Sequence, residues 1–344
     1  MSLLGKMFYK EQPHVQNLSH KVSIIGAGNV GMAVAVSLLG KHVTNNLVLI
    51  DPIGDKVKGE IIDLQHGSLF LRNALIGGGN TFEDSADSKL CIITTGVRQE
   101  PGESRLVMAQ RNSEIIVKVV KMLIKYSPDT MILVVGNPCD VMAYVAWKAS
   151  GLPAYKVMGA GTTLDSQRFR VELSKKFNIN PSNIHAWIIG EHGEHSFAIW
   201  SSVNIGGTRI EKINPKFGTD DDTEKWSVLL KDVLGAAKTI RELKDYTNWG
   251  IGMSIATIAK ALMTQGGSIY AVSVNAKGKF GIEDDIFISL PAVLGSNGIT
   301  DIVHLNLTED ELARLHNAAK ILKEVQDSIK IEEKEVKCKC RRCK

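Results

Sequence analysis

A chain of 344 residues, 44% hydrophobic and 23% charged, has the composition of a folded protein and room for two domains or one large α/β unit. The formal charge of +4 carries no argument for nucleic acid, because the segment Ile331 to Lys344 alone holds six Lys/Arg against three Glu, and no apolar run is long enough to span a membrane. Five cysteines imply no disulfide framework: Cys91 and Cys139 stand in apolar segments as small buried residues, while Cys338, Cys340 and Cys343 crowd the C-terminus.

The first twenty or so residues, Met1 to Lys21, lack the apolar core of a signal peptide, and Glu11 counts against a transit peptide, so a cytoplasmic protein is expected. Lys21 to Ile25 reads as a short strand running into Gly26-Ala27-Gly28-Asn29-Val30-Gly31, followed by a helix from Met32 to Leu39. Leu47 to Ile50 is a second strand ending at Asp51, and Lys56 to Leu69 a helix. Lys89 to Thr95 is a further strand, then come a loop from Gly96 to Gly102 and a long amphipathic helix to about Tyr126. Thr130 to Val135 is a strand stopped by Gly136-Asn137-Pro138. Unbroken apolar strands alternating with helices predict a doubly wound parallel sheet of Rossmann type, covered on both faces.

Past Gly159 the pattern changes. Asp165 to Phe177 reads as a charged helix, Ala198 to Ile205 as a strand, and Asp222 to Tyr246 and Trp249 to Gln265 as helices broken near Thr247-Asn248. Ser268 to Asn275 and Ile286 to Leu294 read as strands of a twisted antiparallel sheet with a Lys277-Gly278 turn between them, and Glu309 to Ile329 as a last amphipathic helix. The expected division is an N-terminal arm over 1–20, a dinucleotide domain over 21–160, an α+β substrate domain over 161–330 and a basic, cysteine-containing, disordered tail over 331–344.

The glycine motif alone is a weak signal, but here a strand precedes it, a helix follows, and an acidic residue ends the next strand. Glycine permits the tight turn and the close approach of backbone to a pyrophosphate, whose charge the helix N-terminus favours. The Asp51 carboxylate can accept from ribose hydroxyls and would repel a 2′-phosphate, which predicts NAD over NADP. The competing reading is a structural glycine turn of some other α/β fold. The segment Arg98-Gln99-Glu100-Pro101-Gly102-Glu103-Ser104-Arg105 follows a strand's C-terminal end and reads as a lid or as an ordinary solvated loop. Asn137 is either an Asn-Pro turn or an amide on the same ligand edge.

Asp165 and Arg168 share one helical face. They are a surface ion pair, or else Arg168 forks onto a substrate carboxylate while Asp165 orients a histidine ring. That ring is expected in Gly190-Glu191-His192-Gly193-Glu194-His195, at the end of the apolar run Ile184 to Ile189. Imidazole exchanges a proton near neutral pH, so His192 reads as an acid/base. The spacing of His192 and His195 is not that of a zinc helix, and the flanking glycines disfavour a helix, so no metal is expected. His185 reads as a core or interface histidine and His66 as a helix-end residue.

Taken together, Gly26 to Gly31, Asp63-Leu64-Gln65-His66-Gly67, Thr95-Gly96-Val97-Arg98-Gln99, Gly102-Glu103-Ser104-Arg105, Asn137-Pro138, Leu164 to Arg170, Gly190-Glu191-His192-Gly193 and Tyr246-Thr247-Asn248-Trp249 resemble the L-lactate/malate dehydrogenase family, on its animal-type lactate side. The resemblance covers about residues 3–330. It implies reversible hydride transfer between NADH and pyruvate, giving (S)-lactate, with His192 as acid/base, Asp165 on its second ring nitrogen, Arg168 on the substrate carboxylate and Arg105 polarising the carbonyl. It implies substrate contacts from Asn137 and Thr247, and cofactor contacts from Gly26, Gly28, Asn29, Val30, Gly31, Asp51, Arg98 and Asn137. Gln99 holds the lid position where malate enzymes of the family carry arginine; a neutral amide leaves the second carboxylate of oxaloacetate unpaired in a closing site. The resemblance also implies a cytoplasmic homotetramer with no nucleic-acid or membrane partner, and matches Arg170 and His185 to an anion site between subunits in some bacterial relatives. Malate or broad 2-oxoacid reduction, and a non-catalytic binding role, are the alternatives. The chain departs from the family pattern at Gly136, Ala160, Thr162-Thr163, Gly250 and Glu194-His195, the last pair standing where Asp-Ser is usual.

Overall fold

The computed structural model describes residues 20–97 and 104–331, with only the backbone of Arg105. The expectations for the arm up to Ser19, for Arg98 and Gln99, for the Arg105 side chain and for the tail from Glu332 lie outside the described residues.

The strands, in chain order, are β1 (Val22–Ile25), β2 (Asn46–Ile50), β3 (Leu75–Gly79), β4 (Leu90–Ile93), β5 (Met131–Val134), β6 (Val157–Gly159), β7 (Ile184–His185), β8 (Ile188–Gly190), β9 (Ser196–Ala198), β10 (Asn204–Ile205), β11 (Thr208–Arg209), β12 (Ser268–Asn275), β13 (Phe287–Gly295) and β14 (Gly298–Ile302). The α-helices are α1 (Asn29–Gly40), α2 (Gly54–His66), α3 (Arg105–Tyr126), α4 (Cys139–Ser150), α5 (Thr163–Phe177), α6 (Ser227–Lys244), α7 (Trp249–Met263) and α8 (Glu309–Ser328).

β1, β2, β4 and β5 are the apolar runs of the first half, and they pair in parallel in the order β3-β2-β1-β4-β5-β6. The order reverses between β1 and β4, so the carboxyl ends of these two strands open the crevice where doubly wound sheets hold ligands. Two of the six strands carry little sequence signal. β3 is Leu75-Ile76-Gly77-Gly78-Gly79, poor in the branched residues that mark a strand. Its glycines serve close packing: a Cβ on Gly78, whose φ is +123°, would stand 2.0 Å from the Leu49 carbonyl oxygen. β6 is only three residues long.

The expected antiparallel strands are present and continue the first sheet. β12 pairs antiparallel with β6 at Ser273 and Gly159, then with β13 along its whole length, and β8 and β9 follow, with β14 on the other side of β13. Eleven strands therefore form one sheet among the described residues. The run Ile184 to Ile189 is divided between two sheets, with β7 joining β10 and β11.

Other expectations shift at their ends. The strand expected over Ala198 to Ile205 is broken by a 3-10 turn at Trp200–Ser202. Trp200 packs edge-on to Phe169 and Phe217, at centroid distances of 5.0 and 5.1 Å, so these apolar residues serve a local core and not a pleat. α6 begins at Ser227 and not at Asp222, because the Asp222 carboxylate accepts from the backbone N–H groups of Gly218 and Glu224 and closes a turn. α2 stops at His66, as a helix-end histidine requires, and a 3-10 turn over Ser68–Phe70 takes the remainder. His185 is exposed, not a core residue.

One hydrophobic core runs through both halves under the large sheet, from Ile24 and Leu133 to Phe287 and Leu322. A second, around Phe169, Leu173, Phe217 and Trp226, sits beneath α5 and α6. Cys91 and Cys139 are fully buried, and burial pushes both thiols up to about 12, leaving them inert.

Candidate functional site

The glycine motif forms the turn from β1 into α1. A Cβ on Gly26, whose φ is +108°, would stand 2.7 Å from the Thr94 hydroxyl, and one on Gly31 would stand 1.8 Å from the Gly26 carbonyl oxygen. Gly28 is the N-cap of α1 and faces open space, with nothing within 4 Å of where its Cβ would be. No side chain caps that helix and no acidic residue occupies its first turn, which leaves the helix end open to an anion among the described residues. At the end of β2 the Asp51 carboxylate accepts from the Ala27 N–H (2.8 Å) and the Ile53 N–H (3.0 Å), which locks it beside the turn. Thr95, next to this crevice at the end of β4, keeps a buried hydroxyl without a partner among the described residues. An open helix N-terminus, a fixed carboxylate and an orphaned hydroxyl at one sheet edge fit a dinucleotide.

The next ligand-edge residue, Asn137, is exposed at the end of β5 and joined to Pro138 by a cis peptide. Its carbonyl accepts from the Asn112 side chain at 2.8 Å, while the Asn112 carbonyl oxygen accepts from the Val97 N–H at 2.8 Å. Asn112 thus ties the root of the 98–103 segment to the Asn137 loop. Sequence reading passed over it, although a polar residue on the buried face of an amphipathic helix was the available signal. Ser104 caps α3 by accepting from the Val107 N–H, so Arg105 opens that helix.

The proton-exchanging cluster is built across α5 and the β8–β9 turn. Thr162 donates to the Ile188 carbonyl at 2.6 Å, and the Ser166 hydroxyl accepts from the Ile188 N–H at 3.0 Å. These bonds hold β8 against α5, and Asp165 meets His192: Oδ2 to Nδ1 is 2.9 Å. Oδ1 of the same carboxylate accepts from Nη1 of Arg168 at 3.0 Å. The surface-pair reading of Asp165 and Arg168 is excluded by burial, since their side chains are 8% and 19% exposed. An exposed pair is worth at most about 1 kcal/mol, whereas removing one partner of a buried pair costs about 3–5 kcal/mol.

Burial opposes ionisation of Asp165, but the hydrogen bond and charge of His192, with Arg168 adding, hold its carboxyl below the usual range. Burial likewise opposes the imidazolium of His192, yet the hydrogen bond and charge of Asp165, with Asp140 adding, raise its pKa above the ordinary value. Nε2 of the ring has no bond among the described residues, and the side chain is 30% exposed.

A residue that sequence reading missed sits beneath. Asp140, 1% exposed in the first turn of α4, accepts from the His192 backbone N–H at 2.7 Å and from the Ser289 hydroxyl at 3.1 Å. Burial raises its pKa, and the His192 N–H works against that rise. Its signal was a lone carboxylate in the apolar stretch Cys139 to Ala143. Thr247 lies half-buried just before α7 and makes no bond to the cluster among the described residues.

Residues 20–159 match the family model described as lactate/malate dehydrogenase, NAD binding domain, and residues 162–333 match lactate/malate dehydrogenase, alpha/beta C-terminal domain. The chain is 46% identical over 312 residues to the L-lactate dehydrogenase B chain of Caiman crocodilus apaporiensis, covering 91% of this chain and 94% of that one. It is 44% identical to the B chain of Sus scrofa, with 91% and 93% covered, and 44% identical to that of Homo sapiens, with 93% and 96% covered.

Proposed function

The chain belongs to the lactate/malate dehydrogenase family, and from that premise we propose that it is an NAD-dependent L-lactate dehydrogenase interconverting pyruvate and (S)-lactate. The observation that carries the reading is the line His192–Asp165–Arg168 with its buried central carboxylate, at contacts of 2.9 and 3.0 Å. It offers one exchangeable proton and one guanidinium on the same helix–turn junction, which is what reduction of a 2-oxoacid needs.

The cofactor, when bound, supplies or accepts the hydride. Gly26, Gly28, Asn29, Val30 and Gly31 would hold its pyrophosphate through backbone and helix N-terminus, Asp51 would accept from ribose, and Arg98 and Asn137 would complete the contacts. His192, protonated, gives its proton to the substrate oxygen during pyruvate reduction and takes it back during lactate oxidation. Asp165 fixes the tautomer of that ring and favours its charged form. Arg168 spends one N–H on Asp165 and turns the rest of its fork to the substrate carboxylate. Arg105 stabilises the negative charge that develops on the carbonyl oxygen, and Asn137 and Thr247 bound the pocket. Gln99 favours the methyl group of pyruvate over the second carboxylate of oxaloacetate.

The organisation we propose is the arm over 1–20, the cofactor domain over 21–160, the substrate domain over 161–330 and the tail beyond, in a cytoplasmic homotetramer. The break between the two family matches, at 159 and 162, supports the domain boundary. Apolar side chains exposed on the monomer, Phe70 at 83%, Trp249 at 57% and Met253 at 52%, support burial against further copies. No helix among the described residues is long and apolar enough to cross a membrane.

The deciding experiment follows NADH oxidation by the purified protein with pyruvate and with oxaloacetate, and repeats the pyruvate assay with NADPH. Pyruvate with NADH should be much the fastest combination. Equal rates with the two acids would overturn the Gln99 assignment, and no turnover with either would overturn the enzyme. Gln99→Arg should move the preference toward oxaloacetate.

A further inference from the structure

The turn between β8 and β9 carries a second ion pair besides the one that holds the His192 ring. Nε2 of His195 lies 4.0 Å from Oε2 of Glu191. Their side chains are 35% and 13% exposed. That Oε2 is itself buried and has no hydrogen-bond partner among the described residues. The carboxylate is packed beneath Gly193, where a Cβ would come within 3.1 Å of Glu191 Cδ and Oε1. A buried carboxylate oxygen without a donor is an expensive group, and the His195 ring is the side chain on the turn placed to face it.

The same turn holds the reacting residue. Its closure is fixed by the Ser196 hydroxyl donating to the Gly193 carbonyl at 2.9 Å, and its near end by the His192 N–H on Asp140. Glu191 and Asp140 are close enough for their charges to be felt by each other. Negative charge therefore collects under His192 from α4, α5 and the turn itself, and His195 is placed to balance one member of it.

We propose that His195 is a positioning residue: its imidazolium supplies the counter-charge of Glu191 and so holds the His192 turn in its working geometry, a proton-linked support distinct from the proton that His192 transfers. The elements around this pair carry other charged groups. Glu194 is on the turn, Asp140 is on α4, and Asp165 and Arg168 are on α5. Arg314, bonded to Asp310, comes from α8 across a cleft of about 410 Å³ that His195, Phe197 and Asn317 also line. The inference rests on the dehydrogenase reading for its kinetic test, and has a second readout that does not.

The kinetic test compares the full-length enzyme with His195→Ala, His195→Lys, Glu191→Gln and the double variant Glu191→Gln/His195→Ala, in pyruvate reduction from pH 5.5 to 9. Imidazole changes charge between about pH 5 and 8. At the acid end kcat/KM for pyruvate should be about three- to fivefold lower in His195→Ala than in the parent, through KM, with NADH affinity unchanged. The difference should vanish toward pH 9. His195→Lys, charged throughout, should exceed the parent there. In the Glu191→Gln background His195→Ala should have no further effect. Thermal unfolding reads the pair without turnover: the melting difference between parent and His195→Ala should shrink over the same pH range. A parent-to-Ala ratio independent of pH, or one undiminished by Glu191→Gln, would overturn the proposal. If His195→Ala fails to fold, His195→Lys decides alone, and no advantage at pH 9 overturns it. Failure of the parent to reduce pyruvate tells against the dehydrogenase reading alone, and the melting series still judges the pair.

Discussion

The two halves of the crevice are built from different materials. The cofactor side is made of backbone: a glycine turn with no room for a Cβ, an uncapped helix end and the ends of β1, β2 and β4. The proton side is made of buried and half-buried ionisable side chains, with Asp165 joining His192 to Arg168 and Asp140 taking the His192 backbone N–H and the Ser289 hydroxyl. Backbone sites fail through added volume, whereas charge clusters fail through a removed partner. The same size of substitution should therefore produce different kinds of loss on the two sides.

The largest effect should come from the proton side. His192→Ala should lower kcat for pyruvate by about 10²- to 10⁴-fold, with NADH binding nearly unchanged, as read by steady-state rates beside fluorescence titration. Equal loss of both would mean that the two sides are not separable. On the cofactor side, Gly31→Ala forces a methyl group to 1.8 Å from the Gly26 carbonyl. It should weaken NADH and lower the unfolding free energy by about 1–3 kcal/mol, the range for overpacking, with a smaller fall in kcat at saturating NADH.

A subtler probe is the pH profile. His192 is raised above its ordinary value chiefly because the Asp165 hydrogen bond and charge outweigh burial. On the proposed mechanism pyruvate reduction needs the imidazolium, so its rate should fall as pH rises past that elevated value; lactate oxidation should rise over the same interval. The stability contributed by this group is complete below the unfolded histidine pKa and is lost as pH rises through the folded one. Asp165 acts in the opposite direction, its contribution being lost as pH falls through its depressed folded pKa.

The smallest expected change is Asp140→Asn. The amide oxygen can still accept from the His192 N–H, so the turn keeps its bond while one buried charge goes. The His192 limb should move toward acid by a fraction of a pH unit, on the order of 1 kcal/mol or less. An unmoved limb would assign Asp140 to geometry alone, and a shift toward base would reverse its sign.

The same contrast explains what could be read from the sequence. Gly26 to Gly31, Asp51 and the His192 motif declare themselves because each needs a particular residue type at fixed spacing. The Asp165–Arg168 pair was legible as a shared helix face, but only the fold could show it buried and turned toward His192. Asp140 and Asn112 were not legible as parts of the site, since their bonds run to backbone atoms 52 and 25 residues away. β3 and β6 escaped because one has three glycines in its five residues and the other is three residues long, so neighbours and not propensity define them. The strand expected after Ala198 failed for the reverse reason: its apolar residues had another core to fill.

The sheet that runs through both halves bears on how the molecule can be divided. The two family matches invite expression of the first 160 residues as a free cofactor-binding unit. Such a fragment would end on β6 with the edge that β12 covers at Gly159 and Ser273 laid bare. Val157 and Met158, wholly buried in the intact chain, would flank an open row of peptide groups ready to pair with another copy. The second half seals a seam of the first, so a truncated product should be found in inclusion bodies more readily than in solution.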